Sequence, residues 1–458
     1  MFQRHFDEGL AQASFFIGCP RTKDAIVIDP RRDVDVYVEA ARAGGFRIAY
    51  SIETHVHADF ACGSNELAAI GARTICGPGS NLQYPSHEVT DGERLQVGDL
   101  ALEFFHTPGH TPEHISILVR QPDAPPRLFT GDTLFVGAVG RPDLLGEELT
   151  RRLAGDLYDS LFHKILPLDP AIEVHPGHGS GSLCGAGIGN DPFTTIGQER
   201  RFNPMLQHKT RESFVAAVLA DLPDTPPYFP RMKKLNAAGA PVLGLAQGYS
   251  GPAAVSAADA AQAIEEGALL IDLRKAEVFA AAHPRGALNL AYGPKVGYWG
   301  GYVLPTEARV FLLGGSEREI TEAARQLLRI GLSRIDGVVT GGFEAWREAG
   351  LPVGAITLTN VDALQGSLDG PAAPLVIDVR TAKEWKKDHI AGAMHIPLGE
   401  LERRAAEIPR DRTAATMCEA GYRSSLAASI LARAGVERLI NVTGGMSAWR
   451  ALATTARS

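Results

Sequence analysis

Two groups of residues in this 458-residue chain could do chemistry by type and spacing. The first is a series of imidazoles and carboxylates. Thr54-His55-Val56-His57-Ala58-Asp59-Phe60 follows the apolar run AYSIET, and His110 in TPGHT, Asp132 in FTGDTLF and His178 in HPGHGSG come after it. Each follows a strand-like run and stands at a glycine-flanked turn, where side chains from several strands can converge on one sheet edge. Imidazole and carboxylate are the ligands of zinc or non-haem iron. Alone, each histidine would be an ordinary turn or core residue. The set, in this order and with these flanks, predicts a metal centre.

The second group is ATMCEAGYRSS at 415–425. An apolar stretch leads into Cys418, a loop follows, and the helix-like run SSLAASILARAG begins. Backbone N–H groups at a helix start, together with the helix dipole, favour a thiolate there. Arg423 adds positive charge for an anionic sulfur donor or acceptor. The spacing is Cys-x4-Arg, one residue shorter than the Cys-x5-Arg loop that is sized for phosphate.

The elements that must position these residues are legible as alternating patterns. DAIVIDPRRD (24–33), DLALEFFHTPGH (99–110), HISILVR (114–120) and RLFTGDTLFVG (127–137) read as short strands ended by turns. VDVYVEAARAGG (34–45) and SNELAAIGA (64–72) read as helices, so the first 200 or so residues predict layered α/β structure. RMKKLNAAGAPVLGLAQGYSGPAA, near 230–255, is rich in Gly, Ala and Pro and reads as a linker. Beyond it the chain repeats itself. LLIDLRKAEVFAAAHPRGALNL (269–290) parallels LVIDVRTAKEWKKDHIAGAMHI (375–396), and GGFEAW (341–346) parallels GGMSAW (444–449). A period of about 100 residues is a domain duplication, not a solenoid. Each copy alternates strand and helix, which predicts two small parallel α/β sheets. At the cysteine-loop position the first copy reads FLLGGSERE (311–319), without a cysteine. Ser316 stands there with no adjacent base to activate it.

Composition narrows the function classes. At 45% hydrophobic and 21% charged residues, global disorder is excluded. A net charge of -8 leaves no electrostatic case for nucleic acid. No apolar stretch reaches the ~20 residues of a membrane helix, and the N-terminus lacks the basic start and apolar core of a signal peptide. The five cysteines (19, 62, 76, 184 and 418) are odd in number, scattered and without a CxxC pair. That pattern predicts neither a disulfide framework nor a zinc knuckle, and fits a reducing, cytoplasmic setting.

The histidine–aspartate set resembles the metallo-β-lactamase superfamily, whose motif is H-x-H-x-D-H followed by His, Asp and His. Phe60 replaces the last histidine of the first motif, a residue that normally helps hold a second metal. The resemblance is to the mononuclear branch, the persulfide (sulfur) dioxygenases. It implies one Fe(II) per chain held by His55, His110 and Asp132, with zinc the alternative. VGRPDL at 139–144 resembles that branch's V-G-R-x-D stretch. Arg141 and Asp143 then become supporting or substrate groups, as do His57, Asp59, His178 and Cys184. IDVR, HIAGAMHIP, the Cys-x4-Arg loop and GGMSAW resemble rhodanese (sulfurtransferase) domains, with Cys418 carrying a persulfide and Arg423 beside it. The middle copy resembles a rhodanese that cannot carry sulfur, with a role in spacing, docking or dimer contact.

The expected architecture is therefore an N-terminal metallo-β-lactamase αββα sandwich over 1–245, an inactive rhodanese-like domain over 246–353 and a rhodanese domain with an active cysteine over 354–458. The resemblance implies an enzyme of sulfide detoxification. A thiol persulfide such as glutathione persulfide is oxidised with O₂ to sulfite and thiol, and the rhodanese gives or uses thiosulfate. A homo-oligomer with no membrane or nucleic-acid partner is expected. Two other readings remain: a glyoxalase II-like zinc thioester hydrolase fused to a sulfurtransferase, and a non-catalytic sulfur carrier or persulfide sensor.

Overall fold

The computed structural model describes residues 1–122 and 124–455. It divides into two compact units, residues 1–249 with 328–331, and residues 250–327 with 332–458. No helix among the described residues is long and apolar enough to cross a membrane.

The first unit is built on two six-stranded sheets. One runs Phe2–Asp7, Gln12–Gly18, Asp24–Ile28, Arg47–Ile52, Arg73–Cys76 and Ser86–Glu88 in spatial order. Its first three strands pair antiparallel and the rest parallel. The other runs Thr194–Thr195, Glu173–Pro176, Arg127–Gly131, Ile115–Arg120, Leu100–His106 and Arg94–Val97. Alternate residues face inward, as a period of two requires. Phe15, Ile17, Ile26 and Ile28 of one sheet meet Leu100, Leu102, Phe104, Ile117 and Phe129 of the other in one buried cluster. Helices cover the outer faces. Tyr37 of the helix Asp35–Gly44 bonds Ser14 at 2.6 Å, and Leu157 of the helix Glu147–Asp159 packs with Leu128 and Val174. The architecture is the expected sandwich, with a shorter helix than expected at Ser64–Ala68.

The segment read as a linker is in part structured. Phe229–Ala238 is a helix with a proline in its first turn, where the missing N–H costs nothing. Composition averaged over the Ala- and Gly-rich stretch hid its buried face of Phe229, Met232 and Asn236. The Asn236 carboxamide donates to the carbonyls of His57 (2.8 Å) and Phe60 (2.7 Å) and accepts from Cys62 N–H (2.9 Å).

The second unit contains two five-stranded sheets with the same strand order. The first is Ala254–Val255, Arg334–Val339, Arg309–Leu313, Leu269–Asp272 and Leu288–Asn289. The second is Thr357–Thr359, Leu439–Val442, Ala414–Met417, Leu375–Asp378 and Met394–His395. All pairings are parallel. The repeated I-D-[LV]-R motif has one structural role in both copies. Asp272 closes onto Arg274, and Asp378 onto Arg380, at the end of a central strand.

Candidate metal centre and cysteine loop

His55, His110, Asp132 and His178 each follow a strand of the first unit and meet at one edge of the sandwich. Nε2 of His55 lies 3.8 Å from Oδ2 of Asp132, and Nε2 of His110 lies 3.4 Å from the same oxygen. All three atoms are buried and have no hydrogen-bond partner. Such orphaned polar atoms are rare in native interiors. Three of them facing one another fit a bound metal ion, and these residues form one of the groups able to hold one.

The surroundings prepare these atoms as ligands. His110 Nδ1 donates to the Arg141 carbonyl at 2.8 Å, which leaves the Nε2 lone pair pointing inward. Thr54 Oγ1 donates to Asp29 at 2.9 Å, so His55 Nδ1 must donate to that hydroxyl, also at 2.9 Å. The Nε2 lone pair of His55 is freed in the same way. Burial, then the neighbouring imidazoles of His57, His110 and His114, hold His55 well below the ordinary histidine range, so it stays a neutral ligand. Burial likewise lowers His110, against the pull of Asp132.

His178 does something else. Its Nδ1 donates to Asp132 Oδ1 and its Nε2 to Asp59 Oδ2, both at 2.7 Å. Burial alone would discharge it, but the two carboxylates outweigh burial and push it up to about 10. As an imidazolium it spends both nitrogens, and it leaves only Oδ2 of Asp132 open. Burial opposes the charge on Asp132, but His178 holds that carboxyl well below its usual range. His57 turns away from the trio: Nε2 meets Asp29 at 3.1 Å and Glu53 at 3.4 Å. Phe60 is fully buried, its ring 4.4 Å from that of His57, and offers no donor atom. Cys184 lies near Asp59 and His178, where burial first and then Asp59 and Asp132 raise its thiol well above the usual range. Arg141 is buried and fully engaged. It pairs with Asp143 at 2.7 Å through two nitrogens, and also donates to the Leu183 carbonyl and the Thr225 hydroxyl.

Two contributors were not singled out in the sequence. His114, in TPEHIS, accepts from Asp132 N–H at 3.0 Å and so sets the backbone of that ligand. Gly131, just before Asp132, has φ +46°, and a Cβ there would lie 2.6 Å from both His114 Nε2 and Thr54 Oγ1. Gly131→Ala should therefore cost about 3 kcal/mol or more through strain and clash. The first unit is expected to melt several degrees lower and to bind less metal. An unchanged melting curve would show that the loop relaxes freely.

In the second unit, Cys418 follows the strand Ala414–Met417 and precedes the helix Tyr422–Arg433. Gly421, at φ 107°, turns the loop so that its N–H points at the Cys418 sulfur, 3.1 Å away. Arg423 does not stand free. It makes a bidentate pair with Glu384, 2.6 Å on each arm, and its guanidinium lies 5.1 Å over the Trp299 ring. Its charge is shared with Glu384, and the Gly421 N–H is the group that donates to the sulfur. In the preceding copy the equivalent loop is filled by its own side chain. Glu319 accepts from Ser316 N–H at 2.7 Å and from its hydroxyl at 2.9 Å, a pairing at the start of the helix Glu317–Arg329, so a carboxylate does stand beside Ser316 where the sequence suggested no adjacent base.

Comparison with known proteins agrees with this division. The model of the metallo-beta-lactamase superfamily matches residues 7–178, and that of the rhodanese-like domain matches 256–349 and 360–452. The chain is 28% identical over 213 residues to the mitochondrial persulfide dioxygenase ETHE1 of Bos taurus, covering 45% of this chain and 76% of that one. It is 29% identical over 256 residues to a hydroxyacylglutathione hydrolase of Polaromonas, covering 49% and 93%. A crystal structure of a metallo-beta-lactamase from Staphylococcus aureus subsp. aureus COL superposes with a TM-score of 0.64 at 32% identity, covering 74% of this chain and 98% of that one.

Proposed function

Because the chain belongs to the metallo-beta-lactamase superfamily and carries two rhodanese-like domains, we propose that it is a persulfide dioxygenase coupled to a sulfurtransferase. The observation that carries this reading is the trio His55, His110 and Asp132, whose three facing atoms have no hydrogen-bond partner. Two imidazoles and one carboxylate with open positions make up the ligand set of oxygen-activating ferrous sites. Relatedness to persulfide dioxygenases supports the same conclusion.

The residues act as follows. His55, His110 and Asp132 hold the metal through the three unpartnered atoms. Ferrous iron, if bound there, would supply oxygen activation. Thr54 and the Arg141 carbonyl keep both imidazoles in the ligating tautomer. The His178 imidazolium offsets the charge of Asp132 and Asp59. Arg141 and Asp143 brace the loop that carries the carbonyl for His110. The overall reaction takes glutathione persulfide, O₂ and water to sulfite, glutathione and protons. At Cys418, the sulfane sulfur of a persulfide passes to the thiolate and then to sulfite, giving thiosulfate, or runs in reverse.

Likeness to a hydroxyacylglutathione hydrolase favours a second reading, a two-zinc thioester hydrolase. Against it stand Phe60, which offers no donor atom, and the two nitrogens of His178, both engaged by carboxylates. Metal analysis separates the two. The dioxygenase reading expects one iron per chain in protein loaded with iron; two tightly held zinc ions per chain would replace it with the hydrolase.

A further inference from the structure

The two rhodanese-like copies lie in one compact unit, and the cysteine-less one touches the helix that follows Cys418. Every residue of that helix from Arg423 to Leu431 is buried. The strands Ala414–Met417 and Leu439–Val442 of its own sheet cover one side. Tyr422, Ser425 and Ser429, at i, i+3 and i+7, share another side, and all three bond the cysteine-less copy. The Tyr422 hydroxyl donates to the Ala291 carbonyl at 2.9 Å, and the Ser425 hydroxyl to Asn289 Oδ1 at 2.6 Å. The Asn289 N–H donates to the Ser429 hydroxyl at 3.0 Å. Asn289 is itself fixed, because its carboxamide nitrogen donates to the carbonyls of Asp272 (3.1 Å) and Arg274 (2.9 Å). Buried hydroxyls on a helix need such partners, and here the other copy supplies them.

The same copy reaches the cation next to the cysteine loop. Trp299, in the helix Val296–Val303, has its ring 5.1 Å from the Arg423 guanidinium. Glu384, of the active copy, takes both Nη atoms of Arg423 at 2.6 Å and is pinned in turn by Thr381 N–H at 2.9 Å. Arg423 is therefore buried between a carboxylate of its own copy and an aromatic face of the other. Two residues before it, Gly421 donates its N–H to the Cys418 sulfur at 3.1 Å. Burial opposes the charge on Arg423, but Glu384 first and Cys418 after it favour that charge and outweigh burial. An aromatic face attracts a guanidinium most strongly where water is excluded, and Trp299 does both.

We propose that Trp299 is a positioning residue for sulfur transfer at Cys418: from the cysteine-less copy, which Asn289 anchors to the helix, it holds Arg423 in place beside the cysteine loop, so that an anionic sulfur donor meets a fixed positive charge next to the thiol. The proposal rests on the sulfurtransferase reading and gives the cysteine-less copy a part in the site of its neighbour. Trp299 acts through Arg423. Without its ring, the guanidinium keeps Glu384 but loses the wall that fixes its plane and keeps water off the pair.

The test uses the full-length protein and three variants: Trp299→Leu, which keeps apolar bulk, Trp299→Phe, which keeps an aromatic face, and Glu348→Ala, an exposed control on the same copy. Sulfur transfer from thiosulfate to a thiol is measured with each substrate varied. In the first half of that reaction the Cys418 thiolate attacks the outer sulfur of thiosulfate, the S–S bond of thiosulfate breaks, sulfite leaves with the electron pair, and a Cys418 persulfide remains. Alkylation of Cys418 by iodoacetate and by iodoacetamide is followed separately by peptide mass spectrometry. The two reagents differ in charge, so the ratio of their rates reports the positive charge beside the thiol, while exposure and thiolate fraction cancel. Trp299→Leu should raise the KM for thiosulfate about tenfold, with kcat and the KM for the thiol within about twofold, and should lower the iodoacetate-to-iodoacetamide ratio about fivefold. Trp299→Phe should keep both readouts within about twofold, and Glu348→Ala should match the parent. An unchanged thiosulfate KM with an unchanged ratio in Trp299→Leu would overturn the proposal, as would a loss confined to kcat or an equal loss in Trp299→Phe. A parent protein without sulfur transfer would remove the sulfurtransferase reading instead, and the alkylation ratio would still decide the role of Trp299.

Discussion

His110→Ala leaves a folded protein that has lost its iron and its oxygen uptake, while sulfur transfer at Cys418 continues. The imidazole supplies one of three inward-facing atoms and has no stabilising contact at Nε2 to lose. Two ligands then remain. A change to a group that only orients a metal ligand already costs 10- to 100-fold in affinity or activity, so removal of a ligand is expected to cost more than about 100-fold. The fold should survive. The main local loss is the bond from Nδ1 to the Arg141 carbonyl, worth about 1–3 kcal/mol for a buried acceptor left without a partner. Iron content, oxygen uptake and thiosulfate-dependent sulfur transfer on one preparation check this. Retained iron with retained uptake would remove His110 from the ligand set.

Cys418→Ser should do the reverse. A hydroxyl cannot carry a sulfane sulfur, so sulfur transfer between thiosulfate and a thiol should fall to background. The side chain is buried and near-isosteric, with one weak contact from Gly421 N–H, so unfolding is not expected. Oxygen uptake with glutathione persulfide should stay within about twofold of the parent, because the metal ligands lie in a different compact unit. Loss of both activities would mean that the two chemistries are not separable.

Much of this arrangement could be read from the chain. Short strands ended by Gly-flanked His and Asp carried the sandwich, because period-two burial and turn chemistry are local signals. The duplication was legible because IDLR and IDVR recur with the same consequence, a carboxylate closing on a guanidinium at a strand end. That His55, His110 and Asp132 would come together was implied by the resemblance of their motifs to the superfamily, and they do lie together. Other features depend on contacts far apart in sequence and leave no local trace. His178 gains its charge from Asp59, 119 residues away, and from Asp132. Arg423, expected to add positive charge for a sulfur anion, is also paired with Glu384. The helix Phe229–Ala238 vanished into a linker-like composition because its one informative residue, Asn236, is polar and buried against the turn at His57. His114 carries no motif of its own, yet it sets the backbone of Asp132.

The central claim is that a single ferrous ion at His55, His110 and Asp132 oxidises a persulfide. Oxygen consumption by iron-loaded protein supplied with glutathione persulfide tests it most directly, with sulfite measured in the Cys418→Ser background so that none is converted to thiosulfate. One O₂ consumed per sulfite formed is the predicted result. No oxygen uptake by protein holding one iron per chain, with hydrolysis of a glutathione thioester by the zinc-loaded form, would contradict it.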